Sequence, residues 1–518
     1  MKKYLIILVI FLSYSCENDN PDPLPDPKEY SLTLNINPAG AGILSESSGV
    51  YEENESFSIL ATANENYNFD GWSGSIISSD NPLSVKMDSD KIITANFNSV
   101  EIPSVEVYTN TIFIPTDNEK PEDITRTFYD PSGVFSYGIN ESIYTFYPGK
   151  ADWISGQNVN TEDVEEVSSQ ILKKEGNIWV FHNNDLEASF WGIRNYEILG
   201  NKVVIGDGNE IGSDFSKWKG NVFMGDINNG GINWKKVNKS NEMGFFHGTC
   251  TGDINGDGLL DIGVTPGINH NGINLFIQNP DGSFDRKDEL LEFVGFTPFT
   301  IDFADLDGDN LDEIITADYG GGNIPDEDDH EIRIYKFDQS SEKFKFHFQI
   351  NEPNIYTWGL GATSIKVHDF NNDGINDIAV AREDLQQMGF EIWRGVGDAK
   401  FELMFSSPTF STSEIQFREF SVFDANKDGN MDILLRPSHG ELFREWNDKV
   451  KIKLNHLIWI NNGSGIFNFY NEKELSFENI NVHNLLPYSQ NGDLHFVGTY
   501  YEEDSKPEIL TVDIKINF

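Results

Sequence analysis

The sequence predicts an all-β protein: a β-propeller of about seven blades behind a small β-rich domain. Three observations predict it. A ten-residue pattern begins at Asp253, Asp305, Asp369 and Asp424, with side-chain oxygens at positions one, three, five and nine and an apolar residue at ten. The copies start 52, 64 and 55 residues apart. A period near 50 residues, with several short strands in each repeat, suggests propeller blades. Each copy also leads into a strand-like run: Ile262-Gly263-Val264, Ile314-Ile315-Thr316, Ile378-Ala379-Val380 or Ile433-Leu434-Leu435. No helical pattern flanks any of them.

The pattern is what a hard cation needs. The oxygen positions are Asp253, Asn255, Asp257 and Asp261; Asp305, Asp307, Asp309 and Glu313; Asp369, Asn371, Asp373 and Asp377; Asp424, Asn426, Asp428 and Asp432. Ca²⁺ takes six to eight oxygens at about 2.3–2.6 Å, and alternate residues of a tight loop can point theirs inward. Glycine at position six permits the sharp turn, and Asn310 replaces it once with a residue tolerant of positive φ. A single copy would be read equally well as Asp and Asn capping a turn. Four copies in one register point instead to about four structural calcium ions. Without flanking helices or a Glu at position twelve, the loops are not EF-hands.

On these residues the repeats resemble the FG-GAP/VCBS repeats of the integrin α-chain type of propeller. The resemblance implies that each calcium loop joins the first two strands of a blade.

In chain order, residues 1–16 read as a targeting segment. Lys2 and Lys3 precede a short apolar core over 4–12, too short to span a bilayer. Ser15-Cys16 resembles the lipobox of a bacterial lipoprotein, although Leu12 lies four residues before the Cys rather than three. The resemblance implies lipidation of Cys16 and anchoring by its acyl chains. The alternative is an ordinary signal peptide with an incidental Cys. Acidic residues after Cys16 resemble the export signals of surface lipoproteins of Bacteroidetes-like bacteria, so the expected location is the outer membrane, facing outward. Cys250 is then the one remaining cysteine, expected as a buried small hydrophobe. Residues 17–29, with Pro21, Pro23, Pro25 and Pro27, predict an extended spacer.

Residues 30–98 carry strand-like runs at 31–37, 56–63 and 91–97 and a turn signal at 38–42. With Tyr67-Asn68-Phe69-Asp70-Gly71-Trp72, the segment resembles a divergent internalin-type B-repeat domain. Phe69 and Trp72 are expected in its core rather than on a sugar. The propeller then occupies 99–518, with calcium-loop blades over about 241–475. Residues 99–175 are expected as a degenerate first blade, with a short helix or connector at 161–173. Residues 176–240 are expected as a blade without a calcium loop, and 476–518 as a last partial set. The strand at 105–114 would complete that set and close the ring.

Strands alternate in direction, so the calcium loops and the glycine hairpins share one face. The loops between second and third strands share the other with the blade connectors. Two of these are long, 318–331 and 437–455. Binding residues concentrate on loops over a rigid scaffold, which nominates Asn269, His270, Tyr319, Trp358, Arg382, His439, Arg444, Trp446 and Phe299.

Acidic residues number 84 against 37 basic, a net charge of −47, which argues against nucleic acid. The chain has no G-x-S-x-G, H-E-x-x-H, P-loop or CxxC motif. The reading is a monomeric, surface-anchored, non-catalytic protein that binds an extracellular glycan or protein and meets the membrane only through its lipid. The alternatives are a carbohydrate-active enzyme such as a polysaccharide lyase, and a purely adhesive scaffold.

Overall fold

The computed structural model describes residues 28–518 apart from 65–66, 100–103, 114–133, 140, 149–168, 186–189, 191–192, 209–218, 267–271, 294–297, 319–330, 352–360, 384–386, 412–416, 438–450, 454–456, 470–473, 477–484 and 501–507. The chain divides into two compact units, Met1–Ile102 and Pro103–Phe518.

In the first unit, Glu29–Asn37 lies between Gly49–Glu52 and Lys91–Ser99, and Tyr67–Gly74 joins the far side of Lys91–Ser99. The central pair is parallel, Leu32 opposite Lys91. Strict alternation along Lys91–Ser99 turns Ile93, Ala95 and Phe97 inward, onto Leu32, Ile59, Trp72, Leu83 and Val85. Trp72 is buried, and its indole N–H donates to the Asp80 carbonyl at 2.9 Å. Phe69 packs edge-on to Trp72 and Phe97. Both aromatics are therefore core residues.

The second unit is a β-propeller. Among the described residues its main sheets are seven antiparallel ones, six of four strands and one, the fifth, with Phe410–Ser411 added beside its third strand, numbered here as blades in chain order. Blade 1 is Phe135–Ile139, Ser142–Tyr147, Ser169–Glu175 and Ile178–Asp185; blade 2 is Ile193–Leu199, Lys202–Asp207, Val222–Asn228 and Gly231–Lys236. Blade 3 is Thr249–Gly252, Asp261–Val264, Asn274–Gln278 and Phe284–Arg286; blade 4 is Pro298–Ala304, Glu313–Asp318, Ile332–Asp338 and Lys343–Ile350. Blade 5 is Gly361–His368, Asp377–Glu383, Gln387–Gly395 and Phe401–Ser406; blade 6 is Phe417–Phe423, Asp432–Pro437, Ile458–Asn461 and Phe467–Phe469. Blade 7 takes Leu486–Gln490, Asp493–Tyr500 and Glu508–Asn517 from the end of the chain and Ser104–Phe113 from its beginning.

First strands lie against one another in turn from blade 2 to blade 6, and those of blades 7 and 1 do so too, so they form the inner wall. Second strands are buried on both faces because blades stack face to face. That is why the runs after the loops are continuously apolar instead of alternating. Each core spans two blades. Ile315, Ile332 and Ile334 meet Ile365, Ile378 and Val380, while Cys250 and Leu275 meet Ile301 and Ile314. Cys250 is thus a packed, buried thiol. Tyr147, Leu172 and Trp179 of blade 1 meet Ile112, Leu486, Val497 and Ile509 of blade 7, which joins the two ends of the chain.

Two expectations need correcting. Residues 169–173 belong to a strand, the third of blade 1, and Ile178–Asp185 closes that blade rather than opening the next. The turn between them is a two-residue hairpin, Gly176-Asn177, with Gly176 at φ 60°. The charged run Lys173-Lys174-Glu175 obscures the strand because Lys174 is buried against Asp513, on a strand supplied by the far end of the chain.

Candidate metal loops and ligand face

Each loop is built by its own side chains. The position-one carboxylate caps the turn. Asp253 Oδ1 accepts the Asp257 amide at 3.0 Å and Oδ2 the Gly258 amide at 2.7 Å. Asp369 repeats this with Asp373 and Gly374, and Asp424 with Asp428 and Gly429. Asp305 accepts the position-six amide of Asn310 in the same way, at 3.0 Å, but takes its other amide one residue earlier, from Gly308 at 2.7 Å. Position five accepts the amide two residues on: Leu259, Leu311, Ile375 and Asn430 at 2.8–2.9 Å.

Position six is left-handed in every copy: Gly258 at φ 81°, Asn310 at 67°, Gly374 at 86° and Gly429 at 90°. Position four is left-handed too, at Gly256, Gly308, Asn372 and Lys427. Position two is a buried apolar peg: Ile254, Leu306, Phe370 and Ala425. The sequence signalled both, as small or Asn residues at four and apolar ones at two, in three copies or more.

Position nine anchors the loop to the sheet. Glu313, Asp377 and Asp432 accept the position-two amides of Leu306, Phe370 and Ala425 at 2.7–2.9 Å. Asp261, Asp377 and Asp432 also accept amides of Gln278, Gly395 and Asn461. Asp261 is fully buried, and its Oδ2 has no hydrogen-bond partner.

These carboxylates crowd one another. Oxygens of Asp305, Asp307 and Glu313 lie within 4.8 Å of one another. Burial, with the Asp257 and Asp253 charges adding, pushes Asp261 up to about 7. Burial likewise pushes Glu313 to about 7, Asp432 to about 7 and Asp377 to about 6. In three copies the position-three amide relieves part of the repulsion, since Asn255, Asn371 and Asn426 donate to the position-five carboxylate at 2.9–3.1 Å. Asp307 cannot donate, and Lys336 pairs with it instead. Among the described residues that is the one ion pair made by the sixteen oxygen positions. The loops therefore gather carboxylates without matching protein cations, a donor set suited to a hard divalent ion.

Neighbouring loops are also joined. The Asp312 carboxylate accepts the Asp253 amide at 3.0 Å, and Asn376 donates to the Asp305 carbonyl at 2.7 Å. Asn461 donates to the Phe370 carbonyl at 2.7 Å. Position eight carries two of these links, which the repeat pattern did not single out.

On the opposite face, Arg382 is not a ligand residue. Its strand runs to Glu383, and its side chain is fully buried against Glu391 at 2.9 Å. Phe299 is half-buried and stands edge-on to His247 at 4.5 Å. His270, Tyr319, Trp358, His439, Trp446, Asn269, Arg444 and Cys16 lie outside the described residues. A cleft of about 440 Å³ does open on this face, over blade 3. Its residues carried no sequence signal, because the chain brings them together from three separate segments.

A second set of charges lies along the inner wall. Glu197 accepts the Thr251 amide at 2.5 Å and faces Asp302 and Lys366. Arg436 pairs with Glu419, donates to the Tyr196 hydroxyl at 2.7 Å and to the Val134 carbonyl at 2.6 Å. So engaged, the guanidinium acts as a clamp between blades. Among the described residues no helix is long and apolar enough to cross a membrane.

Comparison with protein families agrees with this architecture. Residues 32–101 match the divergent InlB B-repeat domain, and residues 253–316 and 369–435 match the FG-GAP-like repeat. Each FG-GAP match spans two of the four loops. The chain thus carries a divergent InlB B-repeat domain followed by an FG-GAP-repeat β-propeller. Among solved structures it is similar to a periplasmic gluconolactonase, PpgL, of Pseudomonas aeruginosa, with TM-score 0.40 and 12% identity, covering 67% of this chain and 91% of that one. It is similar to the Dos1 propeller, with TM-score 0.41 and 12% identity over 74% of this chain and 92% of that one. It is also similar to the exotype rhamnogalacturonan lyase YesX, with TM-score 0.29 and 12% identity over 74% and 66%. No curated protein matches the chain.

Proposed function

We propose that this is an exported surface lipoprotein, anchored through Cys16, whose calcium-stabilised propeller binds an extracellular glycan or protein without turning it over. The observation that carries the reading is the uncompensated carboxylate cluster of each loop, with the partnerless buried Asp261 Oδ2 at its clearest. Such an oxygen is costly unless a cation meets it. Positions one, three, five and nine of each loop would hold the ion. The ion supplies positive charge that cancels their repulsion, and it stabilises the folded state by mass action. With the loops given to metal, the other face is left for a ligand.

The test is a melt of the ectodomain in calcium and in excess chelator, run beside retention on polysaccharides and an assay for new chain ends. A higher Tm in calcium, with retention and no new ends, is the expected result. Equal Tm values would remove the calcium reading, and new chain ends would make the protein an enzyme.

A further inference from the structure

The cleft over blade 3 is a built site rather than a surface dent. Pro266 follows the second strand, Asn274 opens the third and Arg286 ends the fourth, so the cleft lies at the end of the blade away from the metal loops. Ile273, Asn274 and Arg286 line it. Met243 and Gly244 line it as well, and Gly244 exchanges backbone hydrogen bonds with Gly220 next to blade 2, at 2.7 and 3.2 Å. Asp288, Leu291 and Phe293 belong to the lining too. There Leu291 bridges to Phe344 of blade 4, and the Glu292 amide donates to the Phe344 carbonyl at 2.9 Å. Phe293 stacks on Tyr335 at 6.2 Å. Three blades hold the walls, so little ordering remains to be done when a ligand enters.

The chemistry of the walls narrows the ligand. Pro266, Ile273, Leu291, Met243 and Phe293 give an apolar surface. Against it stands a hydrogen-bonded trio. Asp288 Oδ2 accepts from Arg286 Nε at 2.7 Å, from Arg286 Nη2 at 2.5 Å and from Asn274 Nδ2 at 3.1 Å. Asp288 Oδ1 accepts the Leu275 amide at 3.1 Å. The trio has no net charge, in a chain whose net charge is −47. Among the described residues, Arg286 Nη1 and Asn274 Oδ1 make no hydrogen bond. They leave a donor and an acceptor beside the carboxylate. Neighbouring hydroxyls of a sugar ring both donate and accept, and the ring's C–H face is apolar. The volume also falls within the range of ligand pockets, about 300–1,000 Å³.

We infer that this cleft is a saccharide subsite for a neutral sugar, with Arg286, Asp288 and Asn274 holding hydroxyls and Phe293 and Leu291 covering the ring. The inference rests on the ligand-binding reading above and names its substrate class.

The test uses the full ectodomain in calcium, with malto-, cello-, manno- and xylohexaose and an oligogalacturonate as probes. Affinity is measured for the wild type, Arg286→Ala and Met243→Trp, the last of which adds bulk to the cleft wall. Both side chains are partly exposed, so both variants should fold, and the melt in calcium and chelator checks that they do. Binding of a neutral hexaose, at least tenfold weaker in both variants at unchanged Tm, is the expected result. Wild-type affinity in both variants would move the ligand elsewhere and overturn the subsite. Binding of oligogalacturonate alone, or of no probe, would overturn the neutral-sugar assignment. If the calcium-dependent melt persists in that case, the metal reading survives. Its loss would sink the metal reading whatever the sugars do.

Discussion

Asp261 puts the metal proposal on a single atom. Its Oδ2 is buried without a hydrogen bond beside the carboxylates of Asp253 and Asp257, and burial holds the group near 7. Without metal, a neutral isostere relieves repulsion; with metal, it removes a ligand. Asp261→Asn is therefore expected to melt no lower than wild type in chelator, yet lower than wild type in calcium. The calorimetric stoichiometry should fall by one ion. A variant that loses stability equally in both conditions would make Asp261 a hydrogen-bonding residue only. Arg382 carries the contrasting lesson. An arginine just past an apolar run reads locally as a loop residue. Its partner Glu391 sits on the next strand, in the Val380–Glu391 register pair, and that pairing is invisible to local pattern. Arg382→Met strands a buried carboxylate and is expected to cost about 3–5 kcal/mol. Replacing Glu391 by Leu in the same chain should recover much of that in chemical denaturation. No recovery would mean that packing, not charge, is what the arginine supplies.

At the scale of elements, the loops and their following strands were legible because their signals are local: oxygen spacing, a left-handed position six, and doubly buried apolar runs. Position eight was not, because Asp312 and Asn376 act on the loop of the blade before their own. Blade 1 was only partly legible for the same reason. Its third strand hides behind Lys174, which makes sense only beside Asp513. That carboxylate is the polar centre of the seam. Oδ2 receives the Trp179 indole N–H at 2.9 Å, the Tyr488 hydroxyl and the Lys174 ammonium at 2.5 Å, while Oδ1 meets His495 Nδ1 at 3.0 Å. The strand that carries it pairs along its whole length with Ser104–Phe113. Asp513→Asn would leave Lys174 buried and unpaired, at an expected cost of about 3–5 kcal/mol. Hydrogen exchange should then rise first in 104–113 and 508–517. A uniform rise through all blades would show that the seam is not where the ring opens.

The whole molecule adds a property that no single blade has. Net charge was legible from composition, but not that part of it is enclosed when the first strands come together. Glu197 of blade 2 is held by burial, and next by the Asp302 charge of blade 4, at about 8. The Lys366 ammonium of blade 5 and the Thr251 amide of blade 3 pull the other way, and Asp312 adds a weaker push upward. Asp302 is itself pushed up to about 6, again mainly by burial. The folded value for Glu197 thus lies above the ordinary 4.5. Between those two values the folded state binds more protons than the unfolded chain, so stability falls as pH rises. The contribution is fully present below about 4 and is lost as pH passes through about 8. Glu197→Gln mimics the protonated carboxyl at every pH. In saturating calcium, which on the proposed metal reading keeps the loop carboxylates ionised, the variant should melt close to wild type at pH 5. Its Tm advantage should then grow steadily toward pH 8. Parallel Tm curves across that window would mean that Glu197 ionises as readily inside the ring as outside it, with water in the channel screening its neighbours.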